Sequence, residues 1–284
     1  MTLDDKKVAD IVSRVVARLQ SRSPMTNPQS IRRADPPIKS KWSSSLRPEI
    51  QNPKSEIQNS SPIPAVLTAV DAQAAFSRLG FNTRFCLIEA LRKAALENVE
   101  RWSHEAAAET GMGRADDKVK KNRLVALKTP GPEILQKPDA WSGSHGLTTV
   151  RLDPFGVIAS IIPCTNATET IINNAISMLS AGNAVVFNPH PIAKTVSADC
   201  VKTLNQALVA AGAPDQLLGC IAEPTLETAH ALMQHPLVNL LLVTGGGAVV
   251  DAAMKSGKRA ICAGPGNPPA VVDETADLEH AAKS

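Results

Sequence analysis

Apolar positions along this chain fall into three regimes. Over residues 2–20, Val8, Ile11, Val12, Val15, Val16 and Leu19 recur at three- and four-residue intervals. That spacing lays one apolar stripe along a helix, with Asp10, Arg14 and Arg18 on the other side. Thr2 followed by Asp5 has the form of a capping box with Asp in place of Glu or Gln, and Arg18 near the far end suits the helix dipole. Residues 21–63 abandon the pattern. Pro24, Pro28, Pro36, Pro37, Pro48, Pro53 and Pro62 forbid a long helix, and the Ser-, Asn- and Gln-rich sequence offers little to bury, so a disordered linker is expected. From about Val66 onward the apolar content supports a core.

In this third region two helices are expected first, over 66–80 and 83–110, the second stopping at Gly111. A helix or loop follows around 122–127, then an extended excursion over 141–152. Apolar runs bounded by turns predict strands at 156–162, 184–187, 217–221, 239–243 and 259–262. Helices are expected between them at 168–180, 193–211, 225–233 and 247–256. Strand–helix alternation at this spacing predicts an α/β fold, a doubly wound parallel sheet covered on both faces.

Composition narrows the partners. The formal net charge is +3, but residues 1–64 alone hold eleven Lys/Arg against six Asp/Glu. This basic charge is diluted among prolines and serines with Trp42 as the sole aromatic, which argues against nucleic acid as a partner. Five cysteines, Cys86, Cys164, Cys200, Cys220 and Cys262, form no CxxC and no Cys/His cluster. They support neither a disulfide framework nor a metal site, and most are expected to be reduced, buried small hydrophobes in a cytoplasmic protein. No apolar run reaches the length of a membrane span, and there is no secretion signal, so no membrane partner is expected. A short helix on a long tether has no local surface for its stripe. It reads as a docking peptide for a groove on another protein; folding back onto the core or lying on a membrane are the alternatives, the latter poorer because the stripe lacks Trp and Phe.

Candidate chemistry lies in the strand-to-helix turns, where parallel sheets bind nucleotides. Gly245, Gly246 and Gly247 follow Thr244 and open a helix, a backbone that can approach a phosphate at a helix N-terminus; an ordinary tight turn accounts for them equally well. In the turn 187–191 (FNPHP), Asn188, Pro189 and Pro191 surround His190 and hold its imidazole at the carboxyl edge of the sheet; a solvent-exposed turn histidine is the competing reading, and Lys194 beyond it reads as helix surface. In the turn 163–168 (PCTNAT), Asn166 is an amide that could donate to an oxyanion. By spacing alone it is better read as an N-cap of the next helix. Cys164 and Cys262 have no base in view and read as inert.

Taken together, these turns resemble the aldehyde dehydrogenase superfamily, in its CoA-acylating branch. The resemblance runs from about Val66 to the C-terminus and rests on 109–113 (ETGMG), 117–122 (DKVKKN), 154–157 (PFGV), 163–168, the Asn-Pro-His-Pro turn and 263–269 (AGPGNPP). It is most similar to the acetaldehyde or propionaldehyde dehydrogenases packaged in bacterial microcompartments, in which an amphipathic helix on a Pro/Ser-rich linker targets enzyme to the shell interior. The resemblance implies oxidation of a short aldehyde to acyl-CoA with NAD and coenzyme A, through a cysteine thioester. Asn166 would hold the oxyanion, and Pro163, Thr165, Asn188, Pro189, His190, Pro191, Thr244, Gly245, Gly246, Gly247 and Gly264 would face the cofactors. Partners would be the aldehyde, coenzyme A, a shell or core protein bound through residues 2–20, and further copies of the complete enzyme in a microcompartment lumen. Residues 64–270 would form the NAD/CoA-binding domain. Hydrolytic members carry a water-activating glutamate where this chain has Cys262, which favours acyl transfer to a thiol over hydrolysis. None of the five cysteines stands in the family's nucleophile motif, which lies beyond Ser284, so residues 271–284 are expected to begin a catalytic domain and the chain is expected to be inactive alone. A non-catalytic docking protein and a piece of a hydrolytic dehydrogenase are the alternatives.

Overall fold

The computed structural model describes residues 62–283, except 265, 267, 268 and 270. The helix expected at 2–20 and nearly all of the linker expected at 21–63 lie outside the described residues. The unit Ile57–Ser284 carries the fold.

Its elements follow the apolar pattern closely. Helices α1 (Ile63–Phe76), α2 (Phe81–Thr110) and α3 (Ala115–Lys128) come first, then strands β1 (Asp139–Gly143) and β2 (Gly146–Val150). The alternating part is β3 (Val157–Ile161), α4 (Ala167–Ser180), β4 (Ala184–Asn188), α5 (Lys194–Ala210), β5 (Leu218–Cys220), α6 (Leu226–Gln234), β6 (Leu240–Thr244), α7 (Gly247–Lys255) and β7 (Ala260–Ala263), with a short α8 (Leu278–Lys283) after it. The expected excursion at 141–152 is an antiparallel hairpin, Asp139 against Val150 through Gly143 against Gly146, exposed along both strands.

Five strands form one parallel sheet in the order β5-β4-β3-β6-β7. Every residue of β3 and β4 is buried. A strand covered on both faces is apolar along most of its length, which is why these read as near-continuous runs without polar alternation; Ser160 inside β3 is buried with a partner, accepting from Asn174 Nδ2 at 2.9 Å. Helix α1 lies against β3, β4 and β5, while α4 and α5 pack on each other and on the sheet, with α2 against both. Trp102 of α2 is fully buried and donates its indole N–H to Asp199 of α5 at 2.8 Å, a polar handle that lets a large apolar side chain be buried at this helix contact. Truncating it to Ala would cost on the order of 3–5 kcal/mol.

The 154–157 motif is structural. Gly156 has φ +109, and a Cβ there would stand 2.6 Å from Asn239 Nδ2, so the backbone entering β3 admits only glycine. Asn183 Oδ1 accepts from the N–H groups of Phe155 and Gly156, at 2.7 and 3.1 Å, and Asn239 Nδ2 donates to Phe155 O. These contacts lie where the chain enters β3, at the opposite end of the strand from the candidate site.

Candidate functional site

Register brings the candidate turns together. Ile161, the last residue of β3, is paired with Asn188 of β4 on one side and Val243 of β6 on the other, and Thr244 of β6 is paired with Ala263 of β7. In a parallel sheet, strands that end at one level release their turns at one rim. The turns 162–166, 189–193, 245–246 and 264 onward therefore share the carboxyl edge. The chain winds outward from β3 to β4 and β5, then returns to place β6 on the other side of β3. Strand order reverses between β3 and β6, the position at which open α/β sheets form a ligand crevice.

At the β6 turn, Gly246 is the N-cap of α7 in extended conformation, and no side chain caps it. A Cβ on Gly246 or Gly247 would meet nothing within 4 Å. The N–H groups of Gly246, Gly247 and Ala248 have no acceptor among the described residues, while Gly245 N–H is tied to Ala263 O at 3.2 Å. Three adjacent donors with no side chain in front of them, at the positive end of a helix, suit a phosphate or pyrophosphate. A nucleotide therefore fits this turn. Gly264, beside it, also faces open space.

The β4 turn is different. Asn188 is buried, its Oδ1 accepting from Thr228 Oγ1 at 3.0 Å and its carbonyl from Ile162 N–H at 3.1 Å, so its polar atoms tie β4 to α6 and to the β3 turn. Pro189 is buried, whereas His190 and Pro191 are exposed. His190 Nδ1 accepts from Ile192 N–H at 3.3 Å, which leaves Nε2 as the nitrogen open to a ligand. Lys194 pairs with Glu223 at 2.6 Å on the surface. The helix that follows is closed by a residue far away in sequence: Glu109, near the end of α2, accepts from Thr195 N–H through Oε1 and from Val196 N–H through Oε2, both at 2.8 Å.

At the β3 turn the expected N-cap role of Asn166 is corrected. It occupies the cap position of α4, yet its side chain makes no cap hydrogen bond. Its Oδ1 instead accepts from Lys121 Nζ at 3.1 Å, an interaction across 45 residues that draws the side chain away from the helix. Lys118, 2% exposed, donates to Thr165 O at 2.9 Å. Thr165 itself is exposed and Pro163 half-buried, and Cys164 Sγ lies 3.7 Å from Met112 Sδ. Glu109, Lys118 and Lys121 are not recognisable from sequence as working residues. They sit in motifs that stand out, 109–113 and 117–122, but no local spacing says which turn a helix will touch.

The thiols are also partly reassigned. As whole residues only Cys200 is buried; Cys164, Cys220 and Cys262 are half-buried, the Cys220 thiol group itself facing inward, and Cys86 is exposed on α2, against the expectation that most would be buried. Burial pushes the Cys200 thiol well up, and pushes that of Cys220 up to about 12, so both stay protonated and unreactive. Cys220 Sγ, on the edge of β5, donates weakly to Ile221 O at 3.7 Å.

An α/β domain with four turns gathered at one rim, and an open helix N-terminus at its switch point, is the arrangement by which such sheets bind nucleotides. Comparison with known proteins is specific. The chain matches the aldehyde dehydrogenase family over residues 55–284 and belongs to that family. It is 51% identical over 221 residues to the acetylating acetaldehyde dehydrogenase EutE of Salmonella typhimurium, covering 78% of this chain and 47% of that protein. The solved propionaldehyde dehydrogenase of Rhodopseudomonas palustris with bound propionyl-CoA superposes with a TM-score of 0.73 at 47% identity, over 78% of this chain and 49% of that one. A propionaldehyde dehydrogenase from the Clostridium phytofermentans fucose utilisation bacterial microcompartment gives 0.72 at 45% identity, over 78% and 51%. The chain thus spans about half the length of the relatives it matches.

Proposed function

We propose that this chain supplies the ligand-binding domain, residues 64–270, of a CoA-acylating aldehyde dehydrogenase that converts acetaldehyde or propionaldehyde to acyl-CoA with NAD+. The observation that carries the reading is the shared rim: β3, β4, β6 and β7 end in register, and the switch-point helix α7 begins with three adjacent N–H groups that no described residue accepts. The names of the similar proteins support it.

Bound here, NAD+ would supply the hydride acceptor and the thiol of coenzyme A the acyl acceptor. The chain's own residues bind and orient. Gly245, Gly246 and Gly247 allow the backbone of α7 to meet a pyrophosphate without obstruction. Pro163, Thr165, Thr244 and Gly264 line the same rim, and Asn188 with Pro189 and Pro191 sets the position of His190. Asn166 is assigned the role of oxyanion donor, because an amide N–H held in place in advance stabilises a carbonyl oxygen most strongly as it gains charge. Burial of the Cys200 and Cys220 thiols removes both as nucleophiles. Cys262 on β7 offers no carboxylate to activate water, which favours transfer to a thiol over hydrolysis.

We also propose that residues 2–20 dock to a shell or core protein and place the enzyme, as an oligomer, inside a microcompartment. The aliphatic stripe supports this, as does the microcompartment origin of one similar structure. Deleting 2–20 should then abolish co-purification with the shell while leaving ligand binding unchanged.

Calorimetric titration of the chain with NAD+ and with coenzyme A tests the main reading. Saturable binding of both is expected; a folded chain that binds neither overturns it. In the enzyme that carries this domain, acyl-CoA should be the main product, and free acid formed at the same rate without coenzyme A would favour a hydrolytic dehydrogenase instead.

A further inference from the structure

Lys118 and Lys121 have no part in the chemistry assigned so far, yet both reach the turn after β3. Three residues apart on α3, they project from one side of the helix. Lys118 is almost completely buried; its Nζ donates to Thr165 O at 2.9 Å, and its stem passes Gly113, where a Cβ would lie 3.5 Å from Cε. Neither lysine pairs with a carboxylate among the described residues. A buried ammonium is costly unless it answers to negative charge or strong acceptors, and here the acceptors belong to the turn itself.

The contact of Lys121 with Asn166 Oδ1 decides an orientation. An ammonium has donors only, so the oxygen end of the amide must face it. The NH2 end is then turned away, and Nδ2 has no acceptor among the described residues. We propose that Lys118 and Lys121 are positioning residues for Asn166: Lys118 anchors the backbone of the turn, and Lys121 fixes the amide so that its two donors face the rim. Their unpaired positive charge further favours an oxygen that becomes negative at Nδ2. The purpose of this arrangement rests on the acylating reading; the arrangement itself does not.

The test has two parts, so that failure of either idea is visible. In the enzyme carrying this domain, Lys121→Met should lower kcat roughly tenfold, less than the ~10²–10³ typical of deleting an oxyanion donor. The KM values for NAD+ and coenzyme A should stay within about twofold, and Lys121→Arg should restore most of kcat. In an Asn166→Ala background, Lys121→Met should do nothing more. An equal loss in both backgrounds, or no loss at all, overturns the proposal. On the 284-residue chain, the side-chain amide resonance of Asn166 should shift and sharpen toward a freely rotating amide in Lys121→Met but not in Lys121→Arg. If the enzyme forms no acyl-CoA, the acylating reading fails and this spectrum alone decides the positioning: an unchanged amide resonance overturns it. If Lys118→Met does not fold, the Lys121 series decides.

Discussion

The helix after β4 and the helix after β6 start from the same plan, a parallel strand, a tight turn and a helix beginning at the sheet's rim, yet they present opposite faces to a ligand. At α5 the carboxylate of Glu109 accepts from two of the first backbone N–H groups. At α7 the N–H groups of Gly246, Gly247 and Ala248 meet nothing among the described residues, and glycines keep side chains out of the way. A helix N-terminus is an anion site only if the protein has not already supplied the anion. At α5 it has, from another helix. The His190 turn can therefore offer a side chain, but the helix behind it has little left for a phosphate.

The comparison can be broken at either end. Glu109→Ala should have the largest effect, about 2–3 kcal/mol of stability lost in urea unfolding, because two charge-assisted bonds disappear and leave donors exposed. Sulfate should then recover part of that loss by taking the carboxylate's place; a variant as stable as the parent would mean that the two bonds contribute nothing. Next comes Gly246→Asp, which puts a charge of the same sign as phosphate in front of the open donors of α7. It should weaken NAD+ at least tenfold, about 1.4 kcal/mol, with no loss of stability; unaltered affinity in a calorimeter would remove α7 from the site. Glu109→Gln keeps one of the two acceptors, loses the charge and turns its NH2 toward the other N–H, and should cost about 1 kcal/mol. Smallest is Lys194→Ala. Its pair with Glu223 is solvent-exposed, so stability should change by less than about 0.5 kcal/mol and nucleotide affinity not at all. A clear drop in affinity would instead bring Lys194 into the site.

The same contrast governs what is legible in the sequence. All five strands of the sheet are recognisable to within a residue or two, because a largely apolar run as short as 157–161, bounded by turns, fits a strand buried on both faces and is too short for a buried helix. Helix α3 is open between helix and loop on sequence alone. Its sequence carries charges on every side, and its helix is held by long-range contacts: Lys118, Asn122 and Ala126 are buried against neighbours, and Arg92 of α2 binds the carbonyls of Ala126 and Thr129 at its end. The glycines of the β6 turn are visible, since openness is a local property. The closing of α5 is not, because Glu109 stands 86 residues before Thr195. Asn166 has the local look of a cap for the same reason: the lysine that claims its amide is 45 residues away. Local patterns reveal which groups a turn possesses, and only the fold reveals which of them are already spoken for.

The position of β3 at the centre of the sheet has a consequence for synthesis of the protein. Its partner on one side, β4, follows closely, but Val243, which pairs with Ile161, is made 82 residues later. Closing so long a loop is slow and entropically costly, and the apolar edge of β3 stays uncovered until β6 arrives. The shared rim of these strands therefore cannot form on a ribosome-bound chain until β6 has left the exit tunnel, and an interruption before that point exposes a bare, hydrophobic edge to aggregation or to a chaperone.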